Sequence, residues 1–309
     1  MVAWLKPCRS EQLRETIRCS IELRECLRVS RARNDESEFV GMGCGVDSDM
    51  HVQNSSAITL VRMELSGQGM SWAKSRFAQL LGERGPIPLD EMAFLISSIA
   101  IGGQKIGDSR DSESAIVEQL SRLDELAAAV PSPTFGGIAQ FLFTGSDAFV
   151  GNRAEYYDPD NSLLSRVLDR HAGIPISLSV IMMEVGRRLG VPIVGIGMPG
   201  HFLVALAPSR GNLPETFADP FHEGKILDGD QCQQLFHQMT GGHQTFHPGF
   251  LAPVHPMAIV ERMLNNLKAI YISRSDHEGL RNVMALRSYF PGLGKSEHDE
   301  FLRLMAPFN

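Results

Sequence analysis

His201 and Asp219 are the two residues of this 309-residue chain whose types and spacing could do chemistry together. They fall in two segments, 201–207 and 216–221, whose apolar, strand-favouring residues are bounded by turn formers. If the segments pair as a simple hairpin centred near Arg210, each of the two residues lies nine positions from the centre and they face each other. Their Cβ atoms would then be roughly 5 Å apart on one face of the ladder. A histidine oriented by a carboxylate beside the start of a helix supplies two members of an acyl-transfer triad. The third member would be a nucleophile at that helix start.

The helix that must position the pair runs over 175–189. Pro175 suits its first position, because a fixed φ and a missing N–H cost nothing there. Ile174, Leu178, Ile181 and Val185 make one apolar stripe, and Ile176, Val180 and Met183 make another on the opposite side. A helix apolar on two sides is an interior helix. Ser177, Glu184, Arg187 and Arg188 occupy the face left over, the last three as a helical ion-pair set, and Gly190 with Pro192 ends the helix. Segments 191–197 and 224–227 read as two further strands. Both faces of 201–207 are mostly apolar, as expected of a strand covered by helices.

Before this core, helical spacing predicts helices over 72–81, 89–101 with Asp90 as N-cap, 113–130 and 134–144. The polar, aromatic run FVGNRAEYYDPDN at 149–161 reads as a loop leading into a helix over 162–171, capped by Asp160 or Asn161. After the core come helices over 228–240, 257–272, 278–289 and 297–305. Residues 1–69 differ in kind. An arginine-rich helical stretch is followed by a Ser-, Asp- and Gly-rich one with little periodicity, and Met70 would make a natural start for the folded unit. A transit peptide is opposed by Glu11, Glu15, Glu22 and Glu25, and a secretory signal by Lys6, Arg9, Glu11 and Arg14. The expected organisation is therefore a weakly ordered extension (1–69), a helical part (70–148), a core (149–256) and C-terminal helices (257–309), in an α+β fold.

A net charge of -7 argues against nucleic acid as the main partner, since phosphate binding needs a basic face. No run of about 18 apolar residues is present, so no membrane span is expected. Cys8, Cys19, Cys26, Cys44 and Cys232 are odd in number and lack CxxC spacing, which fits reduced thiols in a cytoplasmic setting.

Several linked motifs carry a resemblance. GN-x-x-x-YYDPDNS (151–162), GIPISLS (173–179), EV-x-RRLG (184–190), PGHFLV (199–204), ADPF (218–221) and RMLNNLKAIY (262–271) together resemble the transglutaminase-like superfamily, and within it the SirB-one branch. The resemblance covers about residues 72–275. It implies a buried helix packed on a small antiparallel sheet, with a cysteine nucleophile at the helix start followed by a histidine and an aspartate on neighbouring strands. His201 and Asp219 match the last two. The nucleophile's place falls at or beside Pro175, in a stretch with no cysteine between Cys44 and Cys232.

Proline offers no nucleophilic atom. Ser177 lies about 200° around the helix from position 175 and should miss His201, whereas Ser179 lies about 40° away but one turn deeper. The usual cysteine chemistry is thus not expected. The reading is a non-catalytic protein- or peptide-binding module, its cleft formed by Asn152, Tyr157, Asn161, Gly200, His201 and Asp219. The alternative is a hydrolase of amide or ester bonds with His201 as general base on water. His201, Asp219 and His222 are close in sequence, but without HxxxH or HExxH spacing no metal is assigned, and no cofactor is expected. Cys232, in a separate helix, is read as a packing residue.

Overall fold

The computed structural model describes residues 72–83, 85–101, 109–209 and 213–290, together with residues 293, 299, 300 and 303. The extension expected over 1–69, the hairpin centre at Arg210 and most of the helix expected over 297–305 lie outside them. Among the described residues four helices come first: α1 (Trp72–Gly82), α2 (Leu89–Ile101), α3 (Ser109–Ala128) and α4 (Phe135–Phe143). The core follows as β1 (Val150–Gly151), α5 (Leu164–Arg170), β2 (Ala172–Gly173), α6 (Pro175–Leu189), β3 (Ile193–Ile196), β4 (Leu203–Leu206), β5 (Phe217–Asp219) and β6 (Lys225–Leu227). Helices α7 (Gly229–Met239), α8 (Pro256–Ser273) and α9 (His277–Arg287) complete the α+β fold.

Helix α6 is the interior helix its two apolar stripes demand. Leu178, Val180, Ile181, Met182 and Val185 are fully buried, and it packs on α2, α3 and α4 on one side and on β3 and β4 on the other. Its end is set by Gly190 in the left-handed region (φ 74°), which brings the Val191 N–H onto the Gly186 carbonyl at 2.9 Å. At its start the Ser177 hydroxyl accepts the Ile174 N–H at 3.1 Å, satisfying an amide that the helix itself leaves free.

The sheet runs β3-β4-β5-β6, antiparallel throughout. Leu203 and Ala205 point into a cluster with Ile196, Met198, Phe217, Leu227, Cys232, Phe236 and Leu251. Phe202, Val204 and Ala218 are as completely buried. Burial of both neighbours along the strand confirms that β4 and β5 are covered on both faces, whereas Lys225 and Ile226 of β6 are exposed. Cys232 is part of that packing, and its thiol is pushed up to about 12 by burial and by the charges of Asp228 and Asp219.

Five expectations need correction. The β4–β5 pairs are Val204↔Ala218 and Ala205↔Phe217, so their midpoint is residue 211 and not 210, and Asp219 is not directly opposite His201. His201 also precedes its strand, which begins at Leu203. Moving the centre by one residue shifts the pairing by two, and an even shift leaves every side chain on its original face. The loop over 149–161 contains a short parallel pairing, Val150↔Ala172 and Gly151↔Gly173; two-residue strands carry no period that a sequence could display. Asp90 is inside α2 and not its cap, because its carboxylate is drawn to Arg187 (2.9 Å) and Arg188 (3.0 Å) of α6. Finally, α5 starts at Leu164 without a side-chain cap; Asp158 instead caps the single 3-10 turn Pro159–Asn161 that precedes it.

Candidate functional site

Residues 198–201, Met-Pro-Gly-His, form the turn that delivers the imidazole. The His201 N–H donates to the Met198 carbonyl at 3.0 Å, and Gly200 has φ 77°. Proline followed by a residue with positive φ across such a bond is the type II pattern, which only glycine fits without strain. From α8, Arg262 grips the same turn from outside, its Nη2 donating to the carbonyls of His201 (2.8 Å) and Met198 (3.3 Å).

Asp219 sits at the end of β5 and caps the 3-10 turn Pro220–His222. Its Oδ1 accepts the N–H groups of Phe221 (3.1 Å) and His222 (3.3 Å). Its Oδ2 meets two rings at once, His201 Nε2 at 2.9 Å and His222 Nδ1 at 2.7 Å. Burial alone would raise this carboxyl, but the hydrogen bonds and charges of the two histidines outweigh it and hold the group well below the ordinary carboxylate range. Asp219 is therefore an anion at neutral pH. His201 is 4% exposed and Asp219 1%, whereas the side chain of His222 is 38% exposed and forms the side of the cluster open to solvent.

The predicted site residues thus divide. His201 and Asp219 meet, and Gly200 shapes the turn between strand and ring. Pro175 is buried at the start of α6. Asn161 is fully buried and its amide is taken up locally, donating to the Glu155 carbonyl at 2.7 Å and accepting from Asn152 Nδ2 at 3.1 Å. Asn152 closes the same loop by accepting the Glu155 N–H at 3.0 Å. Both asparagines hold the 152–161 loop in shape. Tyr157 is 70% exposed and packs edge-on against Tyr156, itself 37% exposed, with 5.3 Å between ring centroids. Tyr156 in turn stacks edge-on with Phe221 (6.0 Å), which contacts His201 in the same way (6.2 Å). A row of rings therefore leads from the surface to the buried histidine, and the Arg153 guanidinium lies 5.9 Å from the Phe221 ring centre.

Neither helix serine is poised to act. The Ser177 hydroxyl donates toward the Asn161 carbonyl (2.6 Å) and Ile174 carbonyl (3.1 Å), while Ser179 is fully buried with no protein partner for its Oγ. Arg262 and Tyr156 are contributors that the sequence does not single out as site residues, and His222 enters there only as one of three residues close in sequence to which no metal is assigned. A signal existed for each, since all lie in or beside the motifs 151–162, 218–221 and 262–271.

The comparison with known families falls on this same ground. Residues 114–265 match the family model of the Transglutaminase-like superfamily. The chain carries a transglutaminase-like domain. A UPF0162 protein of Xylella fastidiosa (strain Temecula1) is 41% identical over 126 residues, 40% of this chain and 44% of that protein. A UPF0162 protein of Vibrio cholerae is 32% identical over 146 residues, 47% of this chain and 51% of its own length. F-box only protein 21 of Mus musculus is 33% identical over 127 residues, which are 40% of this chain but 19% of the mouse protein. The match thus spans about half or less of each of these curated relatives. No solved structure matches the chain. Among the described residues, no helix is long and apolar enough to cross a membrane.

Proposed function

We propose that this is a SirB-one-type transglutaminase-like protein in which the cysteine nucleophile has been replaced, and that it works in the cytoplasm as a non-catalytic protein- or peptide-binding module. The observation that carries the reading is the row of exposed aromatics at the mouth of a closed His–Asp pair: Tyr157 and Tyr156 face solvent, Phe221 bridges inward, and His201 is nearly sealed. Tyrosines offer large contact area and a hydrogen-bonding hydroxyl at low entropic cost, which is why they serve so often as recognition anchors. At the helix start Pro175 has nothing to attack with, and the nearest hydroxyls are internal. The match to 19% of a longer mouse protein fits a domain used as one part of a larger chain.

The full-length protein would be screened against a displayed library of random peptides, and the enriched peptides measured by calorimetry. Replacing Tyr156 and Tyr157 together by Ala is expected to weaken binding at least about tenfold, the loss of one good anchor. Peptides that bind the double variant as well as wild type would sink the proposal.

A second reading, hydrolysis of amide or ester bonds with His201 as general base, is favoured by one detail. Asp219 holds Nε2, leaving Nδ1 as the ring nitrogen free for proton transfer. Turnover on amide or ester panels that disappears in both His201→Ala and Asp219→Asn would establish it over the binding role.

A further inference from the structure

An acyl-transfer pair needs one imidazole on its carboxylate, and this carboxylate has two. His222 Nδ1 is the closer to Asp219 Oδ2, at 2.7 Å against 2.9 Å for His201 Nε2. The three ligand-type atoms all lie within 4.8 Å of one another. We propose that His201, Asp219 and His222 form a binding site for a borderline divalent transition ion of the zinc class, open on the His222 side.

The donor set fits that ion. Two imidazole nitrogens and one carboxylate oxygen are among the ligand sets of open zinc sites, which keep a fourth position for water or another ligand. Bond lengths of roughly 2.0–2.2 Å place tetrahedral ligand atoms about 3.3 Å apart, so each ring nitrogen backs away from Oδ2 by about half an ångström while the two nitrogens, within 4.8 Å of each other, settle at the same separation. The scaffold holds the ligands for reasons unrelated to their mutual hydrogen bonds. Oδ1 of Asp219 is fixed by the backbone N–H groups of Phe221 and His222, which leaves Oδ2 for an ion. His201 is fixed by the 198–201 turn and by Arg262. His222 follows Asp219 by three residues on a 3-10 turn, and that spacing returns to the same side of the turn. This is why the cluster forms without the i, i+4 spacing of a helical zinc motif. An approach path exists, since the His222 side chain is partly exposed while the other two are buried.

Binding requires a lone pair on each ligating nitrogen. A neutral ring meets that need by moving its proton to the other nitrogen, and a doubly protonated ring by releasing one proton to solvent. The competing arrangement is two imidazoles hydrogen-bonded to one carboxylate, and it makes no use of an ion. The site is independent of the peptide-binding reading, and either could fail alone.

The test uses full-length protein freed of metal by chelation and then titrated with Zn2+ or Co2+, with bound metal measured after dialysis. One equivalent is expected, with a visible Co2+ spectrum of low coordination number and no sulfur-to-metal charge-transfer band. His222→Ala should weaken Zn2+ binding by about a hundredfold or more, beyond what loss of a supporting contact costs. His222→Gln keeps a side-chain N–H for Asp219 but is a poor ligand, and should also lose the ion while melting like wild type in chelator. Addition of Zn2+ should raise the melting temperature of wild type and of neither variant. Three outcomes overturn the site: no metal bound above background, binding undiminished in the two His222 variants, or a thiolate signature that assigns the ion to cysteines.

Discussion

Arg262 Nη2 donates to the carbonyl of His201 at 2.8 Å, so a helix 61 residues further along the chain fixes the backbone from which the imidazole projects. The same nitrogen reaches Met198, four residues' turn away at its other end, and the guanidinium lies 5.4 Å from the Phe202 ring centre. Arg262→Met keeps the packing stem and removes the charged donor. Loss of a charge-assisted hydrogen bond to buried carbonyls costs about 1.5–3 kcal/mol, or roughly 3–12 °C in melting temperature for a domain of this size. NMR of the His201 ring nitrogens should show a second environment. An unchanged melting temperature with unchanged ring signals would remove Arg262 from this role.

Gly151 determines how closely β1 approaches the turn that carries His222. A Cβ on Gly151 would lie 2.5 Å from the Phe221 carbonyl oxygen and 2.6 Å from its ring, closer than any side chain tolerates. Gly151→Ala should therefore push the Pro220–His222 turn outward at a cost of about 1–3 kcal/mol, as overpacking does elsewhere. Chemical denaturation measures the cost. If the alanine protein is as stable as wild type, the turn is softer than its contacts indicate.

What could be read from the chain, and what could not, follows from the range of the interactions. Helix α6 was legible to the residue because its stop and start are local: Pro175 at the first position, Gly190 beyond the last, and two apolar stripes between. The His201–Asp219 contact is legible for a less secure reason, since the observed hairpin centre lies one residue beyond the expected one and only the even parity of the resulting shift preserves the face. The sequence shows His222 close to the pair but not its hydrogen bond to Asp219, because that contact depends on a single 3-10 turn, which has no periodicity of its own. Arg262 and Asp90 escaped because their partners are distant in sequence, at separations of 61 and 97 residues, and a lone charge on an amphipathic helix looks the same whether it faces water or a buried carbonyl.

Ser177 and Ser179 make a paired prediction about whether a hydroxyl has taken over the nucleophile's task. Ser177 joins Ile174 to Asn161 across the entry to α6. Ser177→Ala should cost about 1–2 kcal/mol, in the range for loss of a helix-start hydrogen bond. The Ser179 hydroxyl is buried without a protein partner, and Ser179→Ala should be neutral within about 1 kcal/mol or stabilising, because removing an unpaired buried polar atom relieves its desolvation. Urea titrations of the two variants decide this. Any acyl-enzyme adduct trapped on either serine by an active-site-directed ester would overrule the structural assignment.

Glu184 links α6 to the helical layer and gives the fold a pH dependence of definite sign. It accepts from Arg187 at 2.6 Å and from Arg188 at 3.1 Å, while Arg188 also reaches Asp90 at 3.0 Å and Asp124 at 2.7 Å. Burial and the neighbouring Asp90 charge push the Glu184 carboxyl up to about 7, against the partial opposition of the two arginines. A carboxyl that is easier to protonate in the folded chain than in the unfolded one binds more protons in the native state between its ordinary value of 4.5 and about 7. Its contribution to stability is thus complete below 4.5 and is lost as pH rises through 7. Asp219 acts in the opposite sense, but only below its ordinary value of 3.8, because its carboxyl is lowered in the fold. Over pH 5–7.5 the Glu184 effect should therefore be on the order of 1–3 kcal/mol, with nothing added by Asp219. Glu184→Gln mimics the protonated form and should flatten that part of the profile. Urea denaturation of wild type and variant at pH 5 and pH 7.5 gives the difference of slopes, which cancels the histidines common to both. Equal slopes would mean that Glu184 stays ionised in the fold across this range.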